Sequence, residues 1–311
     1  MVRFIKTFIL FTAFVAMFYT TMLYIWSSYA PSRLKKNVHY SMGSYGHTFT
    51  RLKDVKNVKN VDILFLGSSH TYRGFDPRVF SANGYSTFNL GSSAQSPTQT
   101  KVLLNRYLNQ LNPRLIIYEV YPPTLSIDGV ESSLDIIAND INDLNSLRMA
   151  LELNHMKTYN TLIYCAIRDL FSFSKSYNEP LNKGQDTYVS GGYVEKQIAH
   201  FIPISYQKQN LDLNQQEAFR HLIKKIKKRG IELILVFAPV SPSLYSSYLN
   251  TSEFDKLMAQ YSTYYNFNEN LSLNDSTHFY NSDHLNQLGV ERFNKKLIRL
   301  LKKRACMNKQ N

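Results

Sequence analysis

Val61-Asp62-Ile63-Leu64-Phe65-Leu66-Gly67-Ser68-Ser69-His70-Thr71 decides how this chain is read. Ile63 to Leu66 is an unbroken apolar run, the composition of a strand buried on both faces. The run stops on a Gly and two serines. A strand that ends at Gly-x-Ser and turns at once exposes the Ser at the carboxyl edge of its sheet, and the small residues permit the tight turn. Ser69 takes that place. Far downstream, Asn281-Ser282-Asp283-His284-Leu285-Asn286-Gln287-Leu288-Gly289 sets an Asp beside a His in a loop before a helix. A nucleophile, a base and an orienting acid are the parts of a serine acyl-transfer site.

Other apolar runs repeat the first one. Ser86 to Leu90, Leu115 to Tyr121 and Glu232 to Ala238 read as buried parallel strands, with a weaker one at Tyr264 to Phe267. Helical patterns separate them: Pro97 to Pro113, Gln215 to Lys228, Phe254 to Tyr261 and Gln287 to Lys303. Alternating strands and helices predict an α/β fold, a doubly wound sheet with helices on both faces. The interval from about 125 to 210 breaks the alternation. It carries helical patterns at Leu134 to Leu153 and Tyr159 to Phe173, then a Gly- and Tyr-rich stretch, and reads as an insertion over the carboxyl ends of the strands.

The N-terminus bears on compartment. Arg3 and Lys6 precede about twenty uncharged, mostly apolar residues, Thr7 to Trp26, enough to cross a bilayer as a helix. Ser28-Tyr29-Ala30 offers a cleavage pattern, but the apolar run exceeds the usual signal-peptide core of about 7–15 residues. An uncleaved anchor is therefore expected, with the folded part outside the cytoplasm, on a cytoplasmic or inner membrane crossed once. The expected divisions are an anchor over 1–30, a polar stalk or wrapping segment over 31–58 and a globular domain over 59–306.

The chain has 311 residues, a formal net charge of +13 and 44% hydrophobic residues. Its basic clusters, Lys224 to Arg229 and Lys302 to Arg304, fall on amphipathic patterns and read as solvated helix faces. No nucleic-acid-binding motif accompanies them, so no nucleic-acid partner is expected. Cys165 and Cys306 show no disulfide framework.

Within the candidate site, the free N–H groups of Ser69 and His70 could stabilise an oxyanion. Thr71 stands where the elbow of an α/β-hydrolase would have its last Gly, which argues against that fold. Asn89-Leu90-Gly91-Ser92-Ser93 repeats the turn after the second strand. Ser93 is a rival nucleophile without an evident partner, and Gly91 is a candidate oxyanion donor. His284 is the natural base and Asp283 its nearest acid. His70 and Glu119 are candidate substrate contacts. Asp275 and His278, with Asp283 and His284, match no standard ligand spacing, and neither a metal nor a cofactor is expected.

Leu66-Gly67-Ser68-Ser69, Asn89-Leu90-Gly91 and Asp283-His284-Leu285-Asn286 with Gly289 together resemble the SGNH/GDSL hydrolase family, over residues about 61 to 304 without the insertion. The resemblance implies a flavodoxin-like three-layer α/β/α fold, Ser69 as nucleophile, Gly91 as oxyanion donor and His284 as base. The family's acid sits three residues before its His, where this chain has Asn281; Asp283 is then the choice. The family's third block, Gly-x-Asn-Asp, is replaced by Ile117 to Pro123. With a membrane anchor, the chain resembles the anchored proteins of cell-envelope O-acylation, such as the lipoteichoic-acid D-alanylation protein. That implies acyl transfer to, or hydrolysis from, an envelope glycan or polymer, beside a membrane-bound O-acyltransferase. The alternative is a non-catalytic scaffold of the same fold.

Overall fold

The computed structural model describes residues 1–311 apart from 39, 40, 44, 172–176, 197–200, 202, 204–210 and 308–311, with side chains to 304 at the C-terminal end. Cys306 therefore lies outside the described side chains. Strands β1 (Ile63–Leu66), β2 (Thr87–Asn89) and β3 (Leu115–Glu119) are followed by β4 (Asn182–Lys183), β5 (Asp186–Val189) and β6 (Tyr193–Lys196), then by β7 (Glu232–Phe237) and β8 (Thr263–Asn266). Helices α1 (Val2–Tyr29) and α2 (Thr48–Asp54) precede the first strand. Helices α3 (Ser69–Gly74) and α4 (Pro77–Ser81) follow it, and α5 (Pro97–Leu111) follows β2. Next come α6 (Val130–Asn139), α7 (Leu144–Leu153) and α8 (Met156–Leu170), then α9 (Leu213–Lys228) before β7. Helices α10 (Pro242–Ser247), α11 (Thr251–Tyr261), α12 (Phe267–Asn270), α13 (Asp275–His278) and α14 (Gln287–Met307) complete the chain.

The main sheet has the order β2-β1-β3-β7-β8, and all its pairs are parallel. This is the flavodoxin-like order, with helices on both faces. The period-2 alternation of strand side chains builds two cores. Leu64, Leu66, Ile116, Leu233 and Leu235 meet α5, α9 and α11 on one face. Ile63, Phe65, Ile117, Ile234 and Val236 meet Phe80 of α4 and Val290, Phe293 and Leu297 of α14 on the other. The three-layer architecture expected from the sequence is therefore present. Its basic clusters do sit on solvated faces: Lys224, Lys227, Lys228 and Arg229 are exposed.

Two expectations need correction. The pattern from Leu134 to Leu153 is two helices, because Asp143 caps α7 through the main-chain N–H groups of Asn145 and Ser146. The Arg106 guanidinium clamps Asp140 and Asp143 in the break between them. Of the two readings of 31–58, the wrapping segment fits and the stalk does not, since the chain is packed into the domain from His47 onward. Leu52 and Val55 join the core, and Arg51 is fully buried. Its guanidinium donates to the carbonyls of Gly46, Gly91 and Gly192 and lies 4.3 Å from the Tyr72 ring centroid. A charge so enclosed is tolerated only when every N–H finds an acceptor.

Helices α6 to α8 pack against α5 and one another, while the β4–β5–β6 sheet borders β2, where Asn89 N–H donates to Gly191 O at 2.8 Å. One helix, α1, is long and apolar enough to cross a membrane, with a mean hydropathy of 1.9 over its apolar window. Its last turns lie along α8. The Tyr19 hydroxyl donates to Asn160 Oδ1 at 2.6 Å, Tyr24 stacks on Tyr164 at 5.6 Å, and Leu23 and Ser27 are buried.

Candidate active site

The end of β1 fixes the first half of the site. Gly67 has φ +134°, and a Cβ there would lie 2.5 Å from Thr71 Oγ1 and 2.8 Å from Glu119 O. Only glycine fits this turn. Thr71, at the position of the missing elbow glycine, donates its hydroxyl back to Leu66 O at 3.0 Å and closes the strand end. Ser68 becomes the N-cap of α3 and Ser69 its first residue. The β2 turn then closes on this one: a Cβ on Gly91 would lie 2.7 Å from Ser68 O and 2.9 Å from Gly67 O. Gly91 therefore sits directly against the Gly67-Ser68 backbone, and Arg51 holds its carbonyl from behind.

The second half comes from the loop between α13 and α14. Phe279 and Leu285 form a bridge across it, and Asn286 anchors its far end through Gly289 N–H. His284 is thereby aimed at the sheet edge, with Nε2 2.8 Å from Ser69 Oγ. Its Nδ1 lies 3.1 Å from Asn281 Oδ1 and 2.8 Å from Asp283 Oδ1. Asn281 Oδ1 also accepts the main-chain N–H of His284 at 2.8 Å. Only an acceptor works there, so the amide orientation is fixed. Nδ1 faces two acceptors and must carry the ring proton. Nε2 then presents its lone pair to the Ser69 hydroxyl. The Asp283 contact is an ion pair by distance but lies out of line for a hydrogen bond from the ring. Asn281 holds the aligned bond, and the Asp283 carboxyl lies close to the same nitrogen.

The imidazole is also gripped on its faces. His70 stacks on it at 4.9 Å and 16°, and Tyr280 at 5.4 Å and 5°. His70 and Glu119 were expected as substrate contacts, but they are 4% and 1% exposed and lie behind the site. Ser68 Oγ joins them, 3.2 Å from His70 Nδ1 and 3.4 Å from Glu119 Oε2. Burial, with the nearby His284, lowers the His70 pKa to about 3. Burial raises that of Glu119 to about 8, only partly opposed by hydrogen bonds from Ser68 and Ala238. Both groups are thus neutral near pH 7. A neutral His70 is what a stacked partner must be if His284 is to take up a proton.

The other sequence candidates fall elsewhere. Ser93 Oγ bonds the Tyr72 hydroxyl at 3.0 Å. His278 Nδ1 faces the main-chain N–H of Asn274 in a local turn at 3.0 Å, and Asp275 stays with that turn. Among the described residues, His70, Asp283 and His284 bring possible metal-ligand atoms within 4.8 Å of one another. The Ser69 contact at Nε2 and the acceptors at Nδ1 already engage both His284 ring nitrogens. Tyr280, Tyr121 (3.9 Å from the His70 ring) and Arg51 escaped the sequence reading, since nothing local marks them. Asn281 was visible through its spacing from His284.

No protein-family model and no curated protein matches the chain. Among solved structures it is similar to a proposed acylhydrolase of Bacteroides fragilis, at 10% identity and a TM-score of 0.41, over 84% of this chain and 98% of that one. It is also similar to a GDSL-like lipase of Bacteroides thetaiotaomicron, at 12% identity and a TM-score of 0.35, over 79% and 87% of the two chains.

Proposed function

We propose that this chain is a membrane-anchored serine acyl-transfer enzyme, an esterase or O-acyltransferase acting on acyl groups of a cell-envelope glycan or polymer. The observation that carries the reading is the 2.8 Å contact between Ser69 Oγ and a His284 whose other nitrogen is fixed by Asn281 and Asp283. Ser69 attacks the acyl carbonyl as His284 Nε2 takes its proton. Asp283 stabilises the imidazolium, while Asn281 maintains the tautomer and ring angle. The main-chain N–H groups of Ser69 and Gly91 receive the oxyanion. His284 returns the proton to the leaving alcohol, and the acyl-Ser69 ester passes its acyl group to a sugar hydroxyl or to water.

Retention of α1 is supported by its docking on α8, which a cleaved leader would not need. The envelope substrate and a membrane-bound O-acyltransferase partner rest on the sequence resemblance. The test is labelling of the full chain by a fluorophosphonate, with turnover of a p-nitrophenyl ester. Ser69→Ala and His284→Ala should abolish both, and Ser93→Ala should abolish neither. The scaffold alternative is favoured by Asn281 at the family's acid position. Equal signal in wild type, Ser69→Ala and His284→Ala would sink the triad, and no signal in wild type would decide for the scaffold.

A further inference from the structure

We infer that the α7–α8 hairpin is a second membrane contact, a foot seated at the boundary between headgroups and acyl chains of a phospholipid bilayer. The inference rests on the reading of α1 as a retained anchor. Tyr19 meets Asn160 and Tyr24 meets Tyr164, so α1 and α8 run side by side in the same direction. Counting back one turn from Asn160 puts Met156, the first residue of α8, level with Val15. The α7–α8 elbow, Asn154 and His155, lies at the same level.

Only residues 2–14 of α1 extend beyond that elbow, and Arg3 and Lys6 among them can run their long side chains out to the far headgroups. At about 1.5 Å each, these thirteen residues reach roughly 20 Å. The hydrocarbon layer is about 30 Å thick. The shortfall of about 10 Å matches the depth, roughly 5–10 Å, at which interfacial helices lie. A bilayer crossed by α1 therefore reaches the elbow of the hairpin.

The surface there is suited to it. Of the thirteen large hydrophobics exposed after α1 among the described residues, five fall within residues 141–156. Leu144, Leu147 and Leu151 recur at helical spacing on the outer side of α7, and Met156 continues the patch past the elbow. Arg148 is exposed in their midst, as an interfacial helix places its cations among lipid phosphates. A patch of this kind, exposed among the described residues, marks a contact surface. Its continuity with the anchor selects lipid as the occupant.

Trp26 is the chain's only tryptophan, which allows depth to be read by fluorescence. The full chain is reconstituted into phosphatidylcholine vesicles with brominated acyl chains. Phe11→Trp on the exposed face of α1 is compared with Leu151→Trp, Leu147→Trp and Leu288→Trp, each in a Trp26→Phe background. Leu288 is an exposed position on α14 that serves as the reference. The expected result is loss of emission and a blue shift for the two α7 probes and neither for Leu288→Trp. Quenching at the α7 probes no greater than at Leu288→Trp, with Phe11→Trp quenched, would overturn the foot and give that face to a protein partner. An unquenched Phe11→Trp would overturn the anchor reading and the foot with it.

Discussion

Glu119→Gln isolates the buried acid behind the candidate nucleophile. The glutamate is 1% exposed, and burial raises its pKa from an ordinary value of 4.5 to about 8. Between those two values the unfolded chain gives up a proton that the folded chain keeps. Fewer protons are then bound in the unfolded state, so stability falls as pH rises through that window. One pKa unit corresponds to about 1.4 kcal/mol, so wild type should lose about 3.5 kcal/mol between pH 5 and pH 8 through this group. Glutamine keeps the size and cannot ionise. The variant should gain on wild type by about that amount across the range, whatever constant offset its amide introduces. Denaturant titration of both proteins in the same detergent, at pH 5, 6, 7 and 8, reads the gap. A gap that stays level would show that Glu119 titrates alike in both states, and would refute the picture of a neutral acid under Ser68.

Asn281→Ala removes the aligned acceptor from His284 and should lower kcat about 10- to 100-fold with little change in KM, as expected for a second-layer partner of a catalytic His. Asn281→Asp should restore activity to wild-type level or above; a loss equal to that of the alanine variant would deny Asn281 its role. His70 has its pKa lowered to about 3, so stability should fall as pH drops from 6.5 toward 3, where the unfolded chain binds a proton the folded one refuses. His70→Asn should remove that part of the acid sensitivity in pH-resolved melting curves. Gly67→Ala would drive a Cβ to 2.5 Å from Thr71 Oγ1 and should abolish fluorophosphonate labelling, with a lowered Tm in the same sample.

The strands were legible because parallel strands buried on both faces leave runs such as Ile63-Leu64-Phe65-Leu66, and the helices between them start or stop at marked positions such as Pro97 and Gly230. Ser69, Gly91 and His284 could be found because each stands at the carboxyl end of a strand or in the loop that returns to that edge. The partition of roles at Nδ1 could not. Asn281 and Asp283 both reach the ring, and only the fold of the loop shows which is aligned and which contributes charge. The polar sequence of 31–58 hid its burial because Arg51 is satisfied by three carbonyls drawn from residues 46, 91 and 192. Periodicity carries no trace of contacts made over such separations. His70 and Glu119 misled for a related reason: a titratable residue beside a nucleophile reads as a substrate contact until its solvent access is known.

Arg51 also sets a boundary for anyone trimming the molecule. A secreted version starting at residue 59 would look sensible on hydropathy alone. It would strip the guanidinium from the Gly91 carbonyl and leave Asp135, whose pKa burial already raises to about 7, without its nearby positive charge. The smallest portable unit of this chain therefore begins before His47, and the short helix α2 belongs to the scaffold of the candidate site.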